Sequence, residues 1–200
     1  ELIATVHSKG ARAVGPNSVG SINLWNGAVP SITQLLDRTD INPGKVALAS
    51  QSGAVGAAIL TEAERQGIGT GYFISSGNEA DLDFSDYAEY LICHSQVDIV
   101  GGYLESIRKG SEFMSVSRHA LKKGKPLIIL KVGRSKAGAV AAQSHTGALV
   151  GSDDFITAMF KATGVVRAYD GDHFIDLMKV FDKTPASQGK RIGLVSHSGG

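Results

Sequence analysis

The 200 residues include one cysteine, Cys93. No intramolecular disulfide can form, and a single cysteine offers no zinc site of its own. Cys93 ends the apolar run Tyr90-Leu91-Ile92-Cys93, which predicts a small core residue rather than a redox centre. No apolar stretch approaches the ~18 residues that a spanning helix needs, and no signal peptide is recognisable. A cytoplasmic protein with no membrane partner is the expectation. Charge of one sign is also lacking: 20 basic and 19 acidic residues leave a net charge of +1. Bulk electrostatics therefore point to no nucleic-acid partner. The phosphate-loop ending Gly-Lys-Ser/Thr is absent, and position 50 is Ser, which rules out a Gly-x-Ser-x-Gly elbow. Few aromatics stand at strand ends to stack a flavin. No two histidines have metal-ligand spacing, so no metal site is expected.

What is present is glycine, 25 residues of it, within an ordinary 42% hydrophobic and 20% charged composition. The length suits one well-packed α/β domain with flanking pieces. Glu1–Lys9 reads as the end of a helix and Arg12–Val14 as a strand running into Gly15-Pro16-Asn17. Residues 18 to 44 have weak periodicity and many turn formers. From Lys45 the rhythm becomes regular. Short apolar runs at Val46–Ala49, Gly71–Ile74, Ile99–Leu104, Leu127–Val132 and Val165–Ala168 are strand-like. Helical patterns lie between or after them at Ala54–Arg65, Tyr87–Cys93, Phe113–Lys122, Phe155–Ala162 and Phe174–Phe181. The alternation predicts an α/β fold: a doubly wound, parallel, five-stranded sheet of flavodoxin-like size. Thr184–Lys190 reads as a linker, and a new strand begins at Arg191. The chain opens on Glu1 and stops at Ser198-Gly199-Gly200, so a fragment of a longer polypeptide is expected.

In an open parallel sheet, ligands gather beyond the carboxyl ends of the strands. Four polar or glycine-rich segments fall there: Ser50-Gln51-Ser52-Gly53, Ser75-Ser76-Gly77-Asn78-Glu79, Glu105, and the long loop Gly133–Gly151 with His145. Ser52 is placed to cap a helix, and the helix start would suit an anion. A plain capped turn fits the same residues. His145 sits among small residues that have little to pack. It reads either as a loop histidine bonded to a carbonyl or as a neutral-imidazole nucleophile, with Glu105 as an acceptor that fixes its tautomer. The run Lys45–Gly53 is echoed by Arg191–Gly199, each a basic residue, an apolar strand and Ser-x-Ser-Gly. The echo suggests either a shared strand-turn-helix habit or two homologous domains.

Taken in order, Gly15-Pro16-Asn17, Ser50 to Gly56, Ser76 to Asp81, Tyr103-Leu104-Glu105 and Ser144 to Leu149 resemble the nucleoside-diphosphate-forming acyl-CoA synthetases. ADP-forming acetate–CoA ligase typifies that family, and the succinyl-CoA synthetase α subunit is related. The resemblance implies that His145 carries a phosphoryl group and that Glu105 orients it. It implies phosphate binding by Ser50, Gln51, Ser52, Gly53, Ala54, Ser144, Thr146 and Gly147. It places Gly15, Pro16, Asn17, Ser76, Gly77 and Asn78 near CoA and the acyl end of the substrate. Coenzyme A, ATP or ADP and phosphate are the implied substrates, with Mg2+ accompanying the nucleotide in a domain absent from this chain. The implied partners are an ATP-grasp domain or β subunit, a CoA-binding domain N-terminal to this chain and a small carboxylic acid, in an oligomer. Residues 1–25 would close a Rossmann CoA-binding domain. Residues 26–184 would form the flavodoxin-like domain, and 185–200 a linker and the start of a second one. Related architectures fused to a protein acetyltransferase have lost the histidine. A non-catalytic acyl-CoA-binding module is therefore the competing expectation, and retention of His145 and Glu105 weighs against it.

Overall fold

Short β-branched runs and capped amphipathic segments alternate along most of the chain, and each forms the element its pattern favours. The computed structural model describes residues 1–32, 43–134, 153–185, 189–191, 193 and 195–197. The helices are α1 (Leu2–Ser8), α2 (Gly53–Arg65), α3 (Phe84–Cys93), α4 (Gly110–Lys122), α5 (Asp153–Thr163) and α6 (Gly171–Lys183). The strands are β1 (Ser21–Asn23), β2 (Val46–Ser50), β3 (Thr70–Ser75), β4 (Ile99–Leu104), β5 (Leu127–Lys131) and β6 (Val166–Ala168). They form one sheet in the order β1-β3-β2-β4-β5-β6. The five strands from β2 onward are parallel, so their carboxyl ends share one edge. The expected doubly wound sheet is present, with one strand more than the five predicted.

The extra strand, β1, runs antiparallel to β3 with Ser21 opposite Ile74 and Asn23 opposite Tyr72. It has three residues among turn formers, and only Ile22 is buried. So short a run carries no readable alternation. Arg12–Val14, predicted as a strand, forms none. Side-chain bonding takes the place of a ladder there. The Arg12 guanidinium forks onto the Asp81 carboxylate at 2.8 to 3.1 Å, and the Ala13 N–H donates to the same carboxylate at 2.8 Å.

Side chains fix the starts of α2, α3 and α6. Ser52 caps α2, accepting from Val55 N. Asp83 and Asp86 close a reciprocal capping box at α3, and Asp170 caps α6. At the far end of α2 the chain turns at Gly67 with φ +73°, the left-handed conformation that commonly ends a helix. The sheet is buried on both faces. On one side Leu91, Phe113 and Phe160 pack against Val100 and Ile129. On the other Ile59, Phe174 and Met178 pack against Leu48 and Ile128. Every residue of β2 and β5 is buried, which explains their unbroken apolar runs. Cys93, expected in the core, is exposed instead. It is the last residue of α3, and Leu91 and Ile92 take the inward positions. Among the described residues, no helix is long and apolar enough to cross a membrane.

Candidate functional site

The carboxyl edge of the sheet brings together three turns separated by 25 to 55 residues in sequence, and one side chain joins them. Gln51 follows β2 and is buried. Its Nε2 donates to Glu79 Oε2 and to the Ser106 carbonyl, both at 2.9 Å. Its Oε1 accepts from the backbone N–H of Glu105 at 2.7 Å and of Ser106 at 2.9 Å. A primary amide has two donors and two acceptor positions, and all four are used. Gln51 thus ties the start of α2, the turn after β3 and the turn after β4 into one unit. Its side chain is a brace in this arrangement and not an open phosphate ligand.

Glu105 lies just beyond β4 and is 8% exposed. Its backbone is held from both sides. Gln51 accepts from its N–H, and Lys131 Nζ donates to its carbonyl at 2.8 Å. Lys131 ends β5, is 3% exposed, and also donates to the Val132 carbonyl at 2.6 Å. Burial pushes the Lys131 ammonium down to about 8, because a desolvated charge is disfavoured. Lys131 is not among the residues that the sequence points to, although a charged residue closing the apolar run Leu127-Ile128-Ile129-Leu130 is its signal.

Ser50 is wholly buried, and its hydroxyl donates to the Ser52 carbonyl at 2.6 Å. Gly53 and Ala54 open α2, ahead of its first internal hydrogen bond, so their N–H groups stand at the positive end of the helix. The structure also gives Gly53 a packing reason. A Cβ there would lie 2.6 Å from Val19 Cγ1.

The third turn meets the N-terminal segment. Gly77 has φ +61°, and a Cβ on it would lie 2.2 Å from the Pro16 carbonyl oxygen. Asn78 N donates to that oxygen at 2.8 Å, and Ala80 N donates to the Gly15 carbonyl at 2.9 Å. Asn17 Nδ2 donates to Asn78 Oδ1 at 3.3 Å, and the Gly15–Pro16 bond is cis. Gly15-Pro16-Asn17 and Gly77-Asn78, about 60 residues apart in sequence, therefore dock on one another, with Pro16, Asn17 and Asn78 exposed and Ser76 buried beneath them against Ser50 and Glu79. Asp81 anchors it. Arg12, the Ala13 N–H and His7 all bond its carboxylate, and they hold it well below the usual carboxylate range.

Glu79 closes the polar segment after β3, and its sequence context assigns it no role. It is 5% exposed and adopts φ +52°, uncommon for a side chain of its size. Ser76 Oγ donates to Glu79 Oε1 at 2.8 Å. Burial pushes the Glu79 carboxyl up to about 7; the bonds from Ser76 and Gln51 oppose this, Asp83 adds to it, and Arg108 opposes it. A cavity of about 10 Å3, room for about one water, lies beside it between Ser106 and Arg108. A buried carboxyl with a raised pKa at the carboxyl edge of a parallel sheet is a candidate functional group.

His145, Ser144, Thr146 and Gly147 lie outside the described residues, as does the Ser198–Gly200 end of the internal echo. The arrangement that is described offers a helix start, a backbone-clamped acid and two docked turns at one edge. Such an edge can bind an anion and hold a nearby carboxylate in a fixed position.

Comparison with known proteins agrees with the fold. Residues 43–181 match the model of the succinyl-CoA ligase like flavodoxin domain. The whole chain is 38% identical to the acetate–CoA ligase [ADP-forming] II subunit alpha of Pyrococcus furiosus and spans 42% of it. Over 94% of its length it is 39% identical to the 4-hydroxybutyrate–CoA ligase [ADP-forming] of Nitrosopumilus maritimus, and it spans 27% of that protein. Among solved structures it resembles the dinucleotide forming acetyl-coenzyme A synthetase 1 of Ca. Korarchaeum cryptofilum in complex with phosphate and ADP. The TM-score is 0.86 at 34% identity, over 94% of this chain and 40% of that one. The chain thus spans less than half the length of the relatives it matches. On fold, on the matched segment and on these likenesses, the chain belongs to the succinyl-CoA ligase-like flavodoxin domain family.

Proposed function

We propose that this chain is the phosphohistidine-carrying part of an ADP-forming acyl-CoA synthetase of the acetate–CoA ligase type. The reaction exchanges acyl-CoA, ADP and phosphate for acid, CoA and ATP. Phosphate first displaces CoA from the acyl group, leaving an acyl phosphate and free CoA. His145 then takes the phosphoryl group, and the acid departs as a carboxylate. Finally the phosphohistidine passes the group to ADP, and the imidazole is restored. Such transfers need positioning and charge stabilisation more than covalent help from the protein.

The observation that carries this reading is the double clamp on Glu105. Gln51 holds its N–H and Lys131 its carbonyl, so its position is fixed relative to the start of α2. That rigidity is what an acid orienting a phosphorylatable histidine requires. Ser52, Gly53 and Ala54 then form half of a phosphate cradle, completed by Ser144, Thr146 and Gly147 and by a second helix start from the next domain or a partner. Gly15-Pro16-Asn17 and Ser76-Gly77-Asn78 face CoA and the acyl end. On this reading residues 1–25 close a CoA-binding Rossmann domain, 26–184 are the flavodoxin-like domain, and 185–200 lead into a second one. Nucleotide and Mg2+ belong to an ATP-grasp domain or subunit, and the assembly is an oligomer working in the cytoplasm.

The test is phosphorylation of the full-length protein with γ-labelled ATP. Acid-labile, base-stable label on the wild type and none on His145→Ala is expected. Equal labelling of both would refute the assignment.

A further inference from the structure

The spacing rules that exclude a local metal motif do not see residues brought together by helix packing. Glu89 and Cys93 stand four apart on α3, hence on one face of it. His119 comes from α4, which packs beside α3 through Phe84 and Phe113. His119 Nδ1 lies 2.9 and 3.0 Å from the two Glu89 oxygens, and Cys93 Sγ lies 3.5 Å from Glu89 Oε1. One donor atom from each residue falls within 4.8 Å of the other two. Nitrogen, oxygen and sulfur ligands around a tetrahedral zinc stand roughly 3.3 to 3.6 Å apart; the Glu89–His119 and Glu89–Cys93 separations lie within about half an ångström of that range, and the Cys93–His119 pair, within 4.8 Å, closes by side-chain rotation when the ion binds.

We propose that Glu89, Cys93 and His119 form a binding site for a divalent transition cation, zinc by preference, that clamps α3 to α4. The donor set argues for this class. A hard cation such as Mg2+ or Ca2+ takes oxygen ligands, whereas thiolate with imidazole selects zinc and its neighbours. Charge also balances. One thiolate, one carboxylate and a neutral imidazole cancel the two positive charges of the ion. Binding exchanges hydrogen bonds for metal bonds: the Cys93 thiol releases one proton to solvent, and the His119 proton resides on Nε2, freeing the Nδ1 lone pair. The cluster lies on the surface. Cys93 is exposed, and Glu89 and His119 line an open groove of about 400 Å3 between the two helices, so water can complete the coordination. Asp83 and Lys109, at the starts of α3 and α4, line the same groove. A clamp between these helices therefore acts on the two elements whose first turns follow Glu79 and Glu105.

The experiment titrates metal-stripped full-length protein with Co2+ under reducing, anaerobic conditions. A thiolate-to-cobalt charge-transfer band with intense tetrahedral visible bands should saturate with one bound ion and bleach when Zn2+ is added. Cys93→Ser should abolish the charge-transfer band. His119→Ala should weaken cobalt binding by about 100-fold or more, beyond the loss typical of outer-shell changes. Oxygen-ligated cobalt at a nucleotide site elsewhere gives no thiolate band, so it does not mimic the result. Absence of the band, its persistence in Cys93→Ser, or unchanged affinity in His119→Ala would each overturn the proposal. Cys93 is exposed and His119 half-buried, and unfolding midpoints of the variants without metal, expected to match the wild type, check that the fold is kept.

Discussion

Replacing Glu79 by Gln tests whether this buried carboxyl is neutral in the folded protein. Its folded pKa, about 7, stands above the ordinary 4.5. At about 1.4 kcal/mol per pH unit, that difference corresponds to roughly 3 kcal/mol, to order of magnitude. The sign follows from proton binding. Between these two values the folded state keeps a proton that the unfolded chain has lost. The contribution is therefore whole below about pH 4.5, falls as pH rises, and is gone once pH passes about 7. Gln reproduces the protonated geometry. Its amide can donate to Ser76 Oγ, which in turn reaches the Ser50 carbonyl at 3.3 Å, while its oxygen accepts from Gln51. Urea unfolding of both proteins from about pH 5 to about pH 8 isolates the effect, because all other titrations are common to both. Relative to Glu79→Gln, the wild type should lose roughly 2 to 3 kcal/mol across that range. Parallel curves for the two proteins would mean that Glu79 does not hold a proton on folding, and the account of its environment would be wrong.

Three further outcomes are expected. Gln51→Ala strips partners from Glu79, from the Glu105 and Ser106 N–H groups and from the Ser106 carbonyl; the loss should reach about 3 kcal/mol or more by denaturant unfolding. Gly77→Ala forces a side chain into positive φ and onto the Pro16 carbonyl, which should cost about 1 to 3 kcal/mol by the same assay. Asp81→Asn removes the charge that His7 and Arg12 share; limited proteolysis should then cut within residues 1–20 several times faster, with the sheet intact.

The repeating rhythm of strand and helix was legible because period and length agree at each step. Ile99–Leu104 is apolar throughout and buried on both faces, and Ser52 is a cap residue where a cap is needed. The edge that carries the site followed from parallel topology, which gathers Ser50, Ser76 and Glu105 however far apart they are in sequence. What could not be read is pairing between side chains and distant backbone. Nothing in Gln51 announces that its amide will hold residues 105 and 106. Glu79 looks like any loop acid until burial raises its pKa. Arg12–Val14 reads as a strand because a short local pattern says nothing about the distant Asp81 carboxylate that binds Arg12 and the Ala13 N–H. Cys93 looked internal because its neighbours are, although the helix turns it outward.

The antiparallel β1 has a further consequence for solubility. The matched family segment begins at residue 43, after β1. A version of the protein trimmed to that boundary would keep the whole parallel sheet but bare the flank of β3. That flank is six residues long, lies next to the central β2 and is almost entirely buried. Its free N–H and C=O groups, with the apolar surface that Ile22 had covered, would offer a template for another chain. The opposite margin, β6, has only three residues and is much less inviting. The short strand outside the matched segment therefore works as a guard against self-association, and a trimmed protein should be recovered as aggregates rather than as an unfolded monomer.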